Sequence, residues 1–159
     1  MQIVGANLTA TYTAAQLVSE GPAQVGDHFF AAGGKIYKFV KFNNGAGNVA
    51  AVAGNVCYYY AVSGASAGET TEVTMDVTDS VGIGAGVFQS VPADGEYCWI
   101  QIKGVATLTT ALTAGADGNA LTAIGTTDGT LDVSALVTDA VVAYAIDASA
   151  KIVFCDFPW

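Results

Sequence analysis

A chain of 159 residues has the length of one domain, with 12% charged residues against about 25% in an ordinary soluble domain and 52% hydrophobic residues. Five lysines, no arginine and fourteen acidic residues give a formal net charge of -9, which repels phosphate backbones and anionic lipid and argues against nucleic acid as a partner. Gly, Asn, Ser or Asp breaks every apolar run well short of the roughly 20 residues of a membrane-spanning helix, so no membrane partner is expected.

Met1-Gln2-Ile3-Val4-Gly5 has neither the basic nor the continuous apolar region of a signal or transit peptide, so a soluble chain is expected to begin here. Residues 1–22 are rich in Thr and Ala and uncharged until Glu20, the composition of an extended arm or an edge strand. Residues 23–159 are then expected to form a single β-rich domain. Asp27 to Ala32, Gly33-Gly34 and Lys35 to Asn43 predict a hairpin. Its second strand mixes Lys38 and Lys41 with apolar residues on both faces, which suits a position near a sheet edge.

Tyr58-Tyr59-Tyr60 predicts a strand that presents a tyrosine to a partly wet contact such as a subunit interface. Thr71 to Thr78 and Gly86 to Val91 predict two more strands. Glu96 to Lys103 alternates Tyr97, Trp99, Gln101 and Lys103 against Cys98, Ile100 and Ile102, the second set being a core face. Val105 to Val133 reads as short strands between glycine turns, with a short helix allowed near Ser134 to Ala145, and 140–146 with 151–157 reads as a closing hairpin. Short strands at this spacing predict an all-β, mainly antiparallel barrel or sandwich with an extended N-terminal arm and at most one short helix.

The motifs that carry chemistry all fail on context. Gly45-Ala46-Gly47-Asn48-Val49-Ala50 matches a dinucleotide fingerprint, yet the tyrosine strand follows too soon for a crossover helix. Gly64-Ala65-Ser66-Ala67-Gly68 matches a nucleophile elbow, but strand-like residues follow it and the single histidine, His28, precedes it. The aspartates at 76, 79, 94, 117, 128, 132 and 147 sit in turns without a calcium-loop pattern and are expected to cap those turns. Cys57, Cys98 and Cys155 lack metal-ligand spacing and read as buried, reduced thiols. No catalytic residue, cofactor or metal is assigned, and an enzyme is not expected.

Lys35 to Gly47, the segment Gly95-Glu96-Tyr97-Cys98-Trp99-Ile100-Gln101-Ile102-Lys103-Gly104 and the later Ala114 to Leu121 together resemble the decoration, or head cement, proteins of tailed bacteriophages. The resemblance spans roughly a third of the chain. It implies a β-rich, often trimeric structural protein made in the host bacterial cytoplasm and seated on the virion exterior. Its partner would be the major capsid protein lattice, which it would stabilise by contact area. Alternatives are a tail or baseplate module, or a carbohydrate-binding module stacking sugars on Tyr58 to Tyr60 or Trp99. Candidate contact residues are Gln2, Ile3, Val4, Leu8 and Tyr12 in the arm, Tyr97 and Trp99 on the polar face of their strand, and Phe157 and Trp159 at the end of the sequence. Deleting Met1 to Thr13 is expected to abolish capsid binding while leaving the fold intact.

Overall fold

The computed structural model describes residues 5–61, 71–125 and 127–158. Gln2, Ile3, Val4, Trp159 and the Ser66 motif lie outside them. Ten strands form one continuous sheet: β1 (His28–Phe30), β2 (Ile36–Phe42), β3 (Val56–Tyr60), β4 (Glu72–Thr74), β5 (Ser80–Phe88), β6 (Tyr97–Thr107), β7 (Ala120–Thr122), β8 (Asp132–Val133), β9 (Val141–Asp147) and β10 (Ile152–Asp156). Their spatial order is β1-β2-β4-β3-β5-β6-β10-β9-β7-β8, and a further pairing of β2 with β6 closes β2-β4-β3-β5-β6 into a five-stranded barrel. Among the described residues, β2 and β4 are the one pair that runs parallel. The expected all-β, mainly antiparallel fold is therefore the fold of this chain.

The eleven-residue β6 joins the barrel to the rest of the sheet. Its first half pairs with β2, from Lys41↔Tyr97 to Tyr37↔Gln101. Gly104, with φ 93, then turns it away, and Lys103 to Thr107 pairs with β10 instead. A Cβ at Gly104 would lie 3.1–3.2 Å from Lys35 and from the Gly34 carbonyl, so this bend needs glycine twice over, for its dihedral and for its close approach. Beyond the bend, β10, β9, β7 and β8 form a wing.

The core follows the alternation. Val40, Phe42, Cys98, Ile100 and Ile102 join Val56, Tyr58, Val87 and Phe88 in one cluster, which runs on under the wing through Leu121, Val142, Ala143, Val153 and Cys155. All three cysteines are free and buried there, as expected. Burial pushes the Cys98 and Cys155 thiols up to about 12, so they stay protonated at neutral pH. The Gly33-Gly34 hairpin and the closing hairpin of β9 and β10 also form as expected.

Four expectations are corrected. The described part of the N-terminal segment is not extended throughout: Ala14–Glu20 is a helix, α1, capped by Thr13 and Gln16 in a reciprocal capping box and ended by Gly21 in the left-handed conformation. Thr13-x-x-Gln16 and Gly21 were the signals for it. Ser134 to Ala145 holds no helix; Asp139 accepts from the Ala135 and Leu136 amides in a turn, and β9 begins at Val141. Strand β2 is no edge, because β1, β4 and β6 all pair with it, and Lys38 is buried with its Nζ 3.1 Å from the Tyr59 hydroxyl. Burial also lowers the pKa of that ammonium.

Two of the three tyrosines, Tyr58 and Tyr59, face inward rather than towards a wet contact, and Tyr60 is half-buried. Tyr58 is wholly buried, and its hydroxyl donates to Thr130 O at 2.7 Å and accepts from Thr130 N at 3.1 Å. The buried Tyr59 donates to Pro158 O at 3.1 Å. These phenols tie two distant loops to the barrel, because a buried hydroxyl must find its partner inside the protein.

Candidate interaction surface

The residues singled out for contact divide sharply. Trp99 is 1% exposed and Phe157 is 2% exposed. Phe157 packs in the main core, against the backbone of Gly84, where an added Cβ would come within 2.8 Å of its ring. Trp99 belongs to a second cluster on the outside of the barrel, with Tyr37, Phe39 and Ala23. Leu8, Tyr12, Leu17, Phe29 and Tyr97 cover that cluster. The rings of Phe39 and Trp99 are 5.1 Å apart, and Tyr12 meets Phe39 edge-on at 6.0 Å. The alternation placed Tyr97 and Trp99 on the outer side of β6, and the N-terminal segment of the same chain is the second layer there.

Tyr12 and Tyr97 seal this layer with a two-bond bridge: Tyr12 N donates to Tyr97 O at 2.9 Å, and Tyr97 N donates to Tyr12 O at 2.8 Å. Leu8, Tyr12, Tyr97, Trp99 and Phe157 are thus engaged within their own chain. Burial of Tyr58, Tyr59 and Trp99 likewise takes three rings of the carbohydrate-stacking platform out of reach, since a sugar can stack only on an accessible ring face, and leaves the half-buried Tyr60.

The glycine loop that mimics a dinucleotide fingerprint is also occupied from within. The amide of Gly45 donates to Asn43 Oδ1 at 2.9 Å, that of Ala46 donates to Asp79 Oδ2, and that of Gly47 donates to Asp76 Oδ2 at 3.1 Å. Three successive N–H groups, which in another protein would cradle a phosphate, hold this chain's own carboxylate and carboxamide oxygens. A Cβ at Gly47 would fall 2.5 Å from Asp76 Oδ2, so the carboxylate sits where only glycine leaves room. The local capping expected of the turn aspartates is seen at Asp76, which accepts from the Thr78 amide, and at Asp147, which accepts from the Ala150 amide, whereas Asp94 and Asp117 accept from the distant Asn44 and Ala148 amides and tie loops together.

Asp76 carries the clearest pH consequence. Its hydrogen bond from the Thr78 hydroxyl, at 2.6 Å, and those from the Thr78 and Gly47 amides hold its pKa below the ordinary carboxylate value. A folded-state pKa lower than the unfolded one means stability that is fully present above pH ~4 and lost as pH falls through the folded value. Urea midpoints measured from pH 7 down to acid are expected to fall below pH ~4, and Asp76→Asn is expected to flatten that fall. Equal slopes in parent and variant would show that the carboxylate does not contribute.

The wing presents a different surface. In β10, Phe154 stands opposite Val105 of β6 on one side and Tyr144 of β9 on the other. The three are 39%, 44% and 47% exposed, and Ile146, two residues along β9, is 46% exposed. Their strand neighbours Val153, Cys155, Ala143 and Ala145 face the core. Residues directly opposite on one sheet face have Cβ atoms about 4.5–5.5 Å apart, so these side chains form one apolar band across three strands. The outer face of an antiparallel sheet is ordinarily polar, so an apolar band there is a candidate contact surface. The Lys103–Asp156 ion pair, at 2.9 Å, lies at one end of the band, where Asp156 stands opposite Lys103.

These residues escaped the sequence reading because their strands are apolar on both faces. The signal was size: Tyr144 and Ile146 alternate with Ala143 and Ala145, and the larger members point outward.

Among the described residues no three His, Cys, Asp or Glu side chains are grouped to hold a metal ion, and no helix is long and apolar enough to cross a membrane. No protein-family model, no curated protein and no solved structure matches this chain.

Proposed function

We propose that this chain is a non-enzymatic structural protein of a tailed-bacteriophage particle, binding the outer surface of the assembled capsid and stabilising it. The observation that carries the reading is the apolar band of Val105, Phe154, Tyr144 and Ile146, held on a rigid sheet whose other face is core. The resemblance of Lys35 to Gly47, Gly95 to Gly104 and Ala114 to Leu121 to decoration proteins supports it.

The physics of such a role needs no catalytic group. A ligand that binds the assembled shell and not its dissociated parts adds its binding free energy to shell stability. A stable protein–protein contact buries roughly 1,600 Å² in total, and the band would be the apolar centre of such a contact, with polar residues as its rim. Trimers seated where capsid subunits meet would engage several such contacts at once, and avidity would then exceed the affinity of any one.

The test is the copy number of this chain in purified particles, measured by quantitative peptide counting against the most abundant shell protein. Near-stoichiometric copies, or a simple fraction of them, are expected. A handful per particle would replace the capsid reading with a tail or baseplate one, and absence from the particle would overturn both.

A further inference from the structure

A second feature lies away from the apolar band, beside the last rung between β5 and β6, Val87↔Gln101. There the surface opens into a cleft of about 360 Å³, with Val87 and Phe88 among its walls and Lys35, Gln89, Gln101 and Thr107 as its polar side chains. The cleft exists because β6 turns away at Gly104 and leaves the barrel for the wing.

Gln101 is only 2% exposed, and its orientation is settled by the bend. Its Nε2 donates to Lys103 O and to Val105 O, each at 3.1 Å. Two carbonyl acceptors identify that end of the amide as nitrogen, which leaves Oε1 as an acceptor with no donor among the described residues. Gln89 repeats the arrangement: its Nε2 donates to Val87 O at 2.9 Å, and its Oε1 meets no donor among the described residues.

Lys35 is the complementary donor. Lys38 donates to Tyr59, Lys41 pairs with Glu72, Lys103 pairs with Asp156 and Lys151 donates to Thr109 O. Among the described residues, Lys35 is the lysine whose ammonium meets no acceptor, and the hydroxyl of Thr107, which lines the same cleft, has no partner either.

We propose that this cleft binds a neutral, hydroxyl-rich ligand of the size of one sugar residue. Unspent acceptors on Gln89 and Gln101 beside unspent donors on Lys35 and Thr107 match neighbouring hydroxyls, each of which donates one hydrogen bond and accepts another. An apolar ligand would strip water from these groups and return nothing to them. An anion would face two carboxamide oxygens on a chain of net charge -9. The volume lies at the small end of the range for ligand sites, about 300–1,000 Å³. The inference goes beyond the capsid reading and stands without it.

The test is a titration of the isotopically labelled full chain, followed by amide NMR, with glucose, galactose, N-acetylglucosamine and rhamnose, each to about 50 mM so that millimolar dissociation constants are covered. Glucuronate is the charged control. At least one neutral sugar is expected to give saturable shifts at the amides of Lys35, Gln101 and Thr107 and at the Gln89 and Gln101 side chains. Lys35→Met with Thr107→Val is expected to weaken that binding about tenfold or more while the rest of the spectrum is unchanged. Gln89→Leu, which spares the buried Gln101, provides a second variant with the same expectation. No saturable shift with any of the four, tighter binding of glucuronate than of all of them, or parental affinity in both variants would overturn the proposal.

Discussion

Removing Met1 to Thr13 is expected to destabilise the protein by about 3–5 kcal/mol. Leu8 and Tyr12 are partly buried over Phe39 and Trp99, and full burial of one large side chain contributes about 1.5–3 kcal/mol. Thr13 is also the N-cap of α1, worth about 1 kcal/mol, and the Tyr12–Tyr97 bridge is lost with it. Against a typical total of about 5–15 kcal/mol this is a large fraction. It reverses the expectation that the segment can be deleted with the fold left intact.

The measurement is urea unfolding of parent and truncated chains, with indole fluorescence in a Trp159→Phe background so that Trp99 reports alone. A lower midpoint and a red-shifted native emission are expected, because the truncation exposes Trp99. An unchanged midpoint would mean that the segment does not stabilise the barrel. Tyr12→Ala isolates one part of the effect and is expected to cost about 2 kcal/mol, less than the 3–5 kcal/mol of a fully buried aromatic because Tyr12 is only partly buried. The truncation also bears on function: lost capsid binding by a chain lacking residues 1–13 would report unfolding as much as lost contact, so the binding surface is better tested elsewhere.

That test is the double variant Phe154→Thr with Tyr144→Thr. An aromatic anchor at the centre of an interface typically costs about 2 kcal/mol or more on truncation, about 30-fold, so loss of both is expected to weaken association with particles by about 30-fold to several hundred-fold, depending on how far the two are additive. Threonine keeps the strand propensity, and both side chains are outward-facing, so stability is expected to change by less than about 1 kcal/mol. The checks are co-sedimentation of purified protein with particles stripped of it and the urea midpoint of the isolated chain. Parental binding by the double variant would remove the band from the mechanism, and a collapsed midpoint would show that the band stabilises the fold instead.

These two experiments separate surfaces that look alike in the sequence. Trp99 and Phe154 are both large aromatics in strands that alternate with buried cysteines, Cys98 and Cys155. One is covered by Tyr12, Leu8 and Phe29, and the other is open. Nothing within either strand states which, because the cover over Trp99 comes from a segment some ninety residues away in the chain.

Strand alternation and turn chemistry are local, and they were enough to determine the all-β class, the Gly33-Gly34 and closing hairpins, the inward set Cys98, Ile100 and Ile102, the buried thiols and the local caps at Asp76 and Asp147. The capping box of Thr13 and Gln16 was just as local and was missed only because an Ala- and Thr-rich start reads first as an arm. Tertiary structure alone decided the rest. Closure of β2 on β6 turned an expected edge strand into a central one and buried Lys38 beside Tyr59. The bend at Gly104 divided β6 between barrel and wing, opened the cleft at Gln101 and set Val105 beside Phe154 and Tyr144. Which face of a strand is covered depends on what the fold brings against it, and that pairing is a property of distant segments rather than of the strand itself.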